Sequence, residues 1–209
     1  MQSLISELLQ KIEALDAQVE AELTRRRERI QFTMEDKKAR FEQDLLEAHR
    51  RLRVGLYRFL VSSSVAAYLT APVIYALIFP IALLDLFISV YQWICFPAYG
   101  IPKVRRAEYL VLDRHQLAYL NLIEKLNCVY CGYANGVIAY AREVASLTEQ
   151  YWCPIKHARK VVAAHRRYYH FLEYGDAEGY RDKLEAIRDA VRSPGPLPER
   201  QGEEPDGSG

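Results

Sequence analysis

Hydrophobic and polar positions follow three regimes along the chain. Over residues 1–53 the apolar side chains recur every eleven residues. Leu8, Val19, Ile30, Phe41 and Leu52 form one series, and Ile12, Leu23, Met34 and Leu45 a second, continued by Leu56. Eleven residues over three turns is about 3.67 per turn, so the pattern predicts a narrow stripe on a long helix and a straight or slightly right-handed coiled coil. No Gly or Pro interrupts the stretch, and a continuous helix of that length reaches roughly 80 Å. A stripe so narrow makes no core alone. The expectation is therefore a homo-oligomer formed through residues 1–53, with contact to lipid or a fold-back onto the C-terminal region as alternatives. The basic cluster TRRRER (24–29) suits anionic lipid, although Glu28 interrupts it.

The second regime is an apolar run, residues 54–102. One bilayer crossing needs roughly 20 apolar residues, so the run predicts a membrane hairpin with helices over about 56–79 and 81–100. Pro80, which has no N–H to donate, sets the turn. Arg50, Arg51, Arg53 and Arg58 precede the hairpin, Lys103, Arg105 and Arg106 follow it, and the turn carries no Lys or Arg. The positive-inside rule then places both termini in the cytoplasm. A hairpin dipping into one leaflet keeps the same sidedness. Asp85, one turn beyond Pro80, is expected to reach the headgroups.

In the third regime, residues 103–192, apolar positions return to ordinary helical spacing. A helix is predicted over 113–127 with Asp113 as its N-cap, then a Gly- and Asn-rich turn over 127–136, and a helix over 137–152. Pro154 opens a third helix running to Gly175, and a short helix lies around 180–191. The tail over 193–209 has a disordered composition. The fold class is thus an all-α membrane protein: a long N-terminal coiled-coil-like helix, a two-helix membrane hairpin and a small C-terminal cytoplasmic helical domain.

Composition changes this picture little. Residues 1–53 hold eleven Lys/Arg against eleven Asp/Glu, and the net charge is +1, which gives no reason to expect nucleic acid. The first twenty residues lack the features of a signal peptide. Four cysteines in 209 residues, one of them in the apolar run, do not make a secreted disulfide framework.

The cysteines carry the candidate chemistry. Cys128-x2-Cys131 with Cys153-x3-His157 has the residue types of a Cys₃His site for zinc or iron. If 137–152 is one helix, its ends lie roughly 24 Å apart, and the two pairs cannot share one ion within a chain. Antiparallel packing of successive helices then suggests two half-sites. One sets His165 near Cys128 and Cys131; the other sets Cys153 and His157 near Asp113 and His115. The alternative is thiol redox chemistry at Cys128 and Cys131. The tetrapeptide CVYC resembles the active motif of glutaredoxins, although there the motif opens a helix after a strand, and here a helix precedes it. Glu124, Glu143 and Glu149 lack the Glu-x-x-His pairs of a di-iron bundle. No phosphate loop or nucleophile elbow is present. Taken together, NCVYCGYANGVIAY and TEQYWCPIKHA resemble a segment of uncharacterised bacterial membrane proteins. The resemblance implies a bacterial inner membrane and brings no activity. The resulting expectation is a membrane-anchored, cytoplasm-facing scaffold or interaction protein, with a membrane-bound thiol or metal redox enzyme as the alternative.

Overall fold

The computed structural model describes residues 2–28, 32–35, 38–41 and 43–193. Helix α1 spans Gln2–Glu28. Strands β1 (Phe32–Glu35) and β2 (Lys38–Phe41) follow, and then helix α2 (Gln43–Arg51). The 1–53 region is therefore not one helix. The strands pair antiparallel, with Phe32 opposite Phe41 and Glu35 opposite Lys38. Phe and Thr favour strands, so local propensity here overrides the eleven-residue pattern. Within α1 the stripe persists: Leu8, Ile12, Val19 and Leu23 are exposed on a helix braced by Lys11–Glu7 and Arg26–Glu22 pairs. Ile30 and residues 194–209, including nearly all of the expected disordered tail, lie outside the described residues.

The apolar run forms α3 (Leu56–Ser62), α4 (Val65–Ala76) and α5 (Ile78–Tyr99). Ser64 caps α4, its hydroxyl accepting from Ala67 N–H at 3.2 Å. Between α4 and α5 lies a single residue, Leu77, whose backbone is itself right-handed helical (φ −63°, ψ −14°). The expected fold-back at Phe79–Pro80 gives way to one apolar helical run, Val65–Tyr99, 35 residues long and 6% buried in its most apolar stretch. The reason is positional. Pro80 is the third residue of α5, and a first-turn proline needs no backbone partner for its missing N–H. Gly100, at φ 70°, ends the run with a left-handed cap that most side chains resist.

The chain divides into two units, Met1–Ser63 with Leu112–Val129, and Ser64–Val111 with Tyr130–Gly209. In the first unit, His49 meets the Tyr119 ring edge-on at 5.4 Å. A single 3₁₀ turn, Arg114–Gln116, replaces most of the helix expected over 113–127. Helix α7 (Leu122–Trp152) instead begins at a reciprocal cap. Glu124 N–H donates to Asn121 Oδ1 at 3.0 Å, and the Glu124 carboxylate accepts from Asn121 N–H at 2.8 Å.

Helix α7 then runs straight through the expected turn at 127–136. Gly132 and Gly136 are buried within it. A Cβ on Gly136 would stand 2.7 Å from the Tyr109 carbonyl oxygen, so glycine here allows a close backbone approach rather than a turn.

In the second unit α7 lies beside the apolar run. Tyr130 meets Ile74, Tyr133 meets Asp85, Tyr140 meets Gln92, and Trp152 meets Tyr99. The paired positions rise together, so the helices run parallel. The core is Phe96, Ile101, Tyr140, Val144, Leu147, Tyr151 and Val191. Helix α6 (Arg106–Tyr109) lies on the returning segment, and α8 (Ala177–Arg192) closes the unit. Arg188 and Arg192 stack over Tyr151 at 5.2 and 5.3 Å, and Arg192 donates to the Tyr99 carbonyl at 3.3 Å.

The third helix expected from Pro154 to Gly175 is an irregular segment with one 3₁₀ turn, Arg166–His170. Pro154 and Lys156 exchange backbone hydrogen bonds with Leu172. Lys156, Arg159 and Lys160 would repel one another at helical spacing. In the observed path Lys156 pairs with Glu173 at 2.5 Å and Arg167 pairs with Glu143.

Candidate functional site: a buried carboxylate on the apolar helix

Three polar positions recur along one face of α5, at Asp85, Ser89 and Gln92. Asp85 and Gln92 are 8% and 7% exposed, against a helix whose other large side chains mostly face outward. The buried face continues to Phe96.

After Gly100 the chain turns back along this face. Gln92 treats Val104 as a strand neighbour would: its Nε2 donates to the Val104 carbonyl at 3.1 Å, and its Oε1 accepts from Val104 N–H at 2.7 Å. The same Nε2 donates to Tyr140 Oη at 2.7 Å. Two residues further on, the Arg106 guanidinium grips Asp85 with both arms, Nε to Oδ1 at 2.8 Å and Nη2 to Oδ2 at 2.6 Å. Tyr133 donates a third hydrogen bond to Oδ2 at 2.9 Å.

A lone charge here would be strongly disfavoured; the bidentate fork and the phenol match it. The hydrogen bond to Asp85 holds the Arg106 guanidinium more firmly protonated than usual. Burial, then the bond to Asp85, pushes the Tyr133 phenol up, and burial, then the nearby Glu143 charge, pushes up Tyr109. The cluster holds a fixed charge and orients three chain segments around it.

A second polar group lies toward the C-terminal end of α7. His165 Nδ1 accepts from Tyr168 N–H at 3.1 Å, so Nε2 carries the proton that it donates to Glu149 at 2.7 Å. This is where His165 sits, not beside the cysteine pair. Arg167 Nε donates to Ser146 Oγ at 3.2 Å.

The cysteines are not gathered. Cys128, half-buried, and Cys131, exposed, lie three residues apart on α7. Cys153 is exposed just past its end. From Cys131 to Cys153 the helix rises about 33 Å. His157 stacks on Tyr168, with 6.1 Å between ring centroids, and its N–H donates to Tyr168 Oη at 2.8 Å. Asp113 and His115 belong to the first unit. Among the described residues no group of three or more His, Cys, Asp or Glu is placed to hold a metal ion.

Sequence reasoning read Arg106 as a membrane flank and Asp85 as a headgroup contact, and so missed their pairing. The i, i+4, i+7 repeat of Asp85, Ser89 and Gln92 in an otherwise apolar run is the signal for it, because those positions share one helix face. Compared with known protein families, curated proteins and solved structures, the chain matches none.

Proposed function

We propose that the chain is a membrane-anchored, cytoplasm-facing scaffold or interaction protein of a bacterial inner membrane rather than an enzyme. One observation carries this reading. Apart from the Asp85–Ser89–Gln92 face, the Val65–Tyr99 run is apolar, and its most apolar stretch is only 6% buried by the protein. A core helix of a soluble domain would be covered by its own fold; this one leaves its apolar surface for lipid. Val65–Leu84 contains no charged residue, and 20 residues match a hydrocarbon layer of about 30 Å. Charged partners begin at Asp85.

The exposed stripe on α1 supports self-association of the N-terminal region. In a background without native cysteines, Val19→Cys should crosslink into dimers. The Cys/His region binds a protein partner or a structural zinc or iron ion.

The second reading is a membrane-bound thiol or metal redox enzyme using Cys128 and Cys131. It is favoured by the spacing of the two cysteines on one helix and by the exposure of Cys131. Carbonate-washed membranes and anaerobically purified protein test both readings. The anchored scaffold predicts a chain that stays in the washed pellet and whose thiols do not cycle with glutathione. A chain released by carbonate sinks the anchor. Reversible Cys128–Cys131 oxidation without bound metal supports the redox reading. Stoichiometric zinc or iron lost on Cys128→Ser supports a metal held between copies or with further ligands.

A further inference from the structure

Between Glu47 and Asp85 the chain holds no carboxylate, and Arg50, Arg51, Arg53 and Arg58 fall within nine residues. All four are exposed. They sit on the last turn of α2, the following link and α3, interleaved with Leu52, Val54, Tyr57 and Val61, which are exposed as well. Leu52 is 72% and Tyr57 81% exposed. Tyr57 and Val61 share a face of α3 by their spacing of four.

Water satisfies the guanidinium groups and leaves the apolar side chains uncovered. A nucleic acid backbone does the same. The boundary between headgroups and acyl chains of an anionic bilayer satisfies both, since guanidinium matches phosphate geometry and the apolar side chains enter the acyl edge. The stretch also leads directly into Val65–Leu84, the uncharged part of the apolar run.

We propose that residues 50–61 form a binding surface for anionic phospholipid, with Arg50, Arg51, Arg53 and Arg58 holding headgroup phosphates and Leu52, Tyr57 and Val61 anchored among the acyl chains. The inference rests on the membrane-anchored reading and adds the lipid class to it. A juxtamembrane cation adds about fivefold to affinity for an anionic surface.

The test uses the full-length protein in neutral detergent, titrated with phosphatidylglycerol or phosphatidylcholine, with bound lipid counted by native mass spectrometry. Wild type should prefer phosphatidylglycerol, and the preference should fall with salt. Replacing all four arginines by Gln should lower phosphatidylglycerol affinity by about 100-fold or more and leave phosphatidylcholine unchanged. Replacing them by Lys should keep most of the preference. Leu52→Ser with Tyr57→Ser should weaken both lipids. Equal binding of the two lipids by wild type, or an undiminished preference in the Gln variant, overturns the inference. Resistance of each variant to carbonate extraction separates this failure from failure of the anchor: a chain that stays in the membrane without lipid preference refutes only the present proposal.

Discussion

Asp85 shows how one side chain can bind three segments together. Its carboxylate sits on an apolar helix and is covered by the returning segment and by α7, so nearly all its interactions are with protein. Removing one member of such a pair leaves a buried group without its partner, which costs more than the pair contributes when intact. Arg106 is half-exposed, so the loss is moderated by water. Arg106→Gln should destabilise the protein by about 1.5–3 kcal/mol, the range for hydrogen bonds to charged groups. Asp85→Asn with Arg106→Gln should lose clearly less than the two single changes added together. Chemical unfolding in detergent measures both. Fully additive losses would show that the two residues do not act as a pair. The residue types of this site were readable beforehand; their pairing was not, because 21 positions separate Asp85 from Arg106 and only the chain reversal at Gly100 joins them.

At the scale of elements, the largest departures from the sequence pattern fall where glycine and proline were read as punctuation. Pro80 is absorbed in the first turn of α5, and Gly132 and Gly136 lie inside α7. Glycine weakens a helix by about 1 kcal/mol relative to alanine, a cost repaid at position 136 by close packing against Tyr109 and Leu110. Gly136→Ala should therefore destabilise the fold by about 1–3 kcal/mol, the cost of overpacking, instead of stabilising it as helix propensity alone would predict. Thermal unfolding against wild type gives the sign directly. A rise in midpoint would mean that the Tyr109 backbone yields easily. The segment after Pro154 fails in the opposite sense: its pattern is helical, yet Lys156 reaches Glu173 at the far end of the same segment, and Arg167 reaches Glu143 on α7, in a path that is not a helix.

For the whole molecule, the proposed anchor raises the question of how the apolar run would fit a bilayer. At 1.5 Å per residue, 35 residues extend about 52 Å, longer than the hydrocarbon layer. Arginine at both ends favours keeping both termini in the cytoplasm, which requires the run to leave the membrane on the face it entered. Tyr130 donates to the Ile74 carbonyl at 2.7 Å, and Tyr133 donates to Asp85, so α7 braces the run on both sides of Leu77. A continuous crossing would instead carry the C-terminal region to the opposite face and overturn the proposed cytoplasm-facing arrangement. Protease-accessible tags at the two ends distinguish these topologies. Protection of both tags in right-side-out vesicles means a re-entrant run; cleavage of the C-terminal tag alone means one crossing.

Sequence alone was enough to reveal a helical chain with one strongly apolar region flanked by arginine, because burial preference and charge are properties of residue types and show in the order of the letters. It also established that Cys131 and Cys153 stand far apart if the intervening residues are helical, which is a matter of rise per residue. Tertiary structure decided the rest. Whether a proline breaks a helix depends on its place within the turn, whether a glycine bends one depends on what packs against it, and which arginine meets a buried carboxylate depends on the path of a chain that turns back on itself.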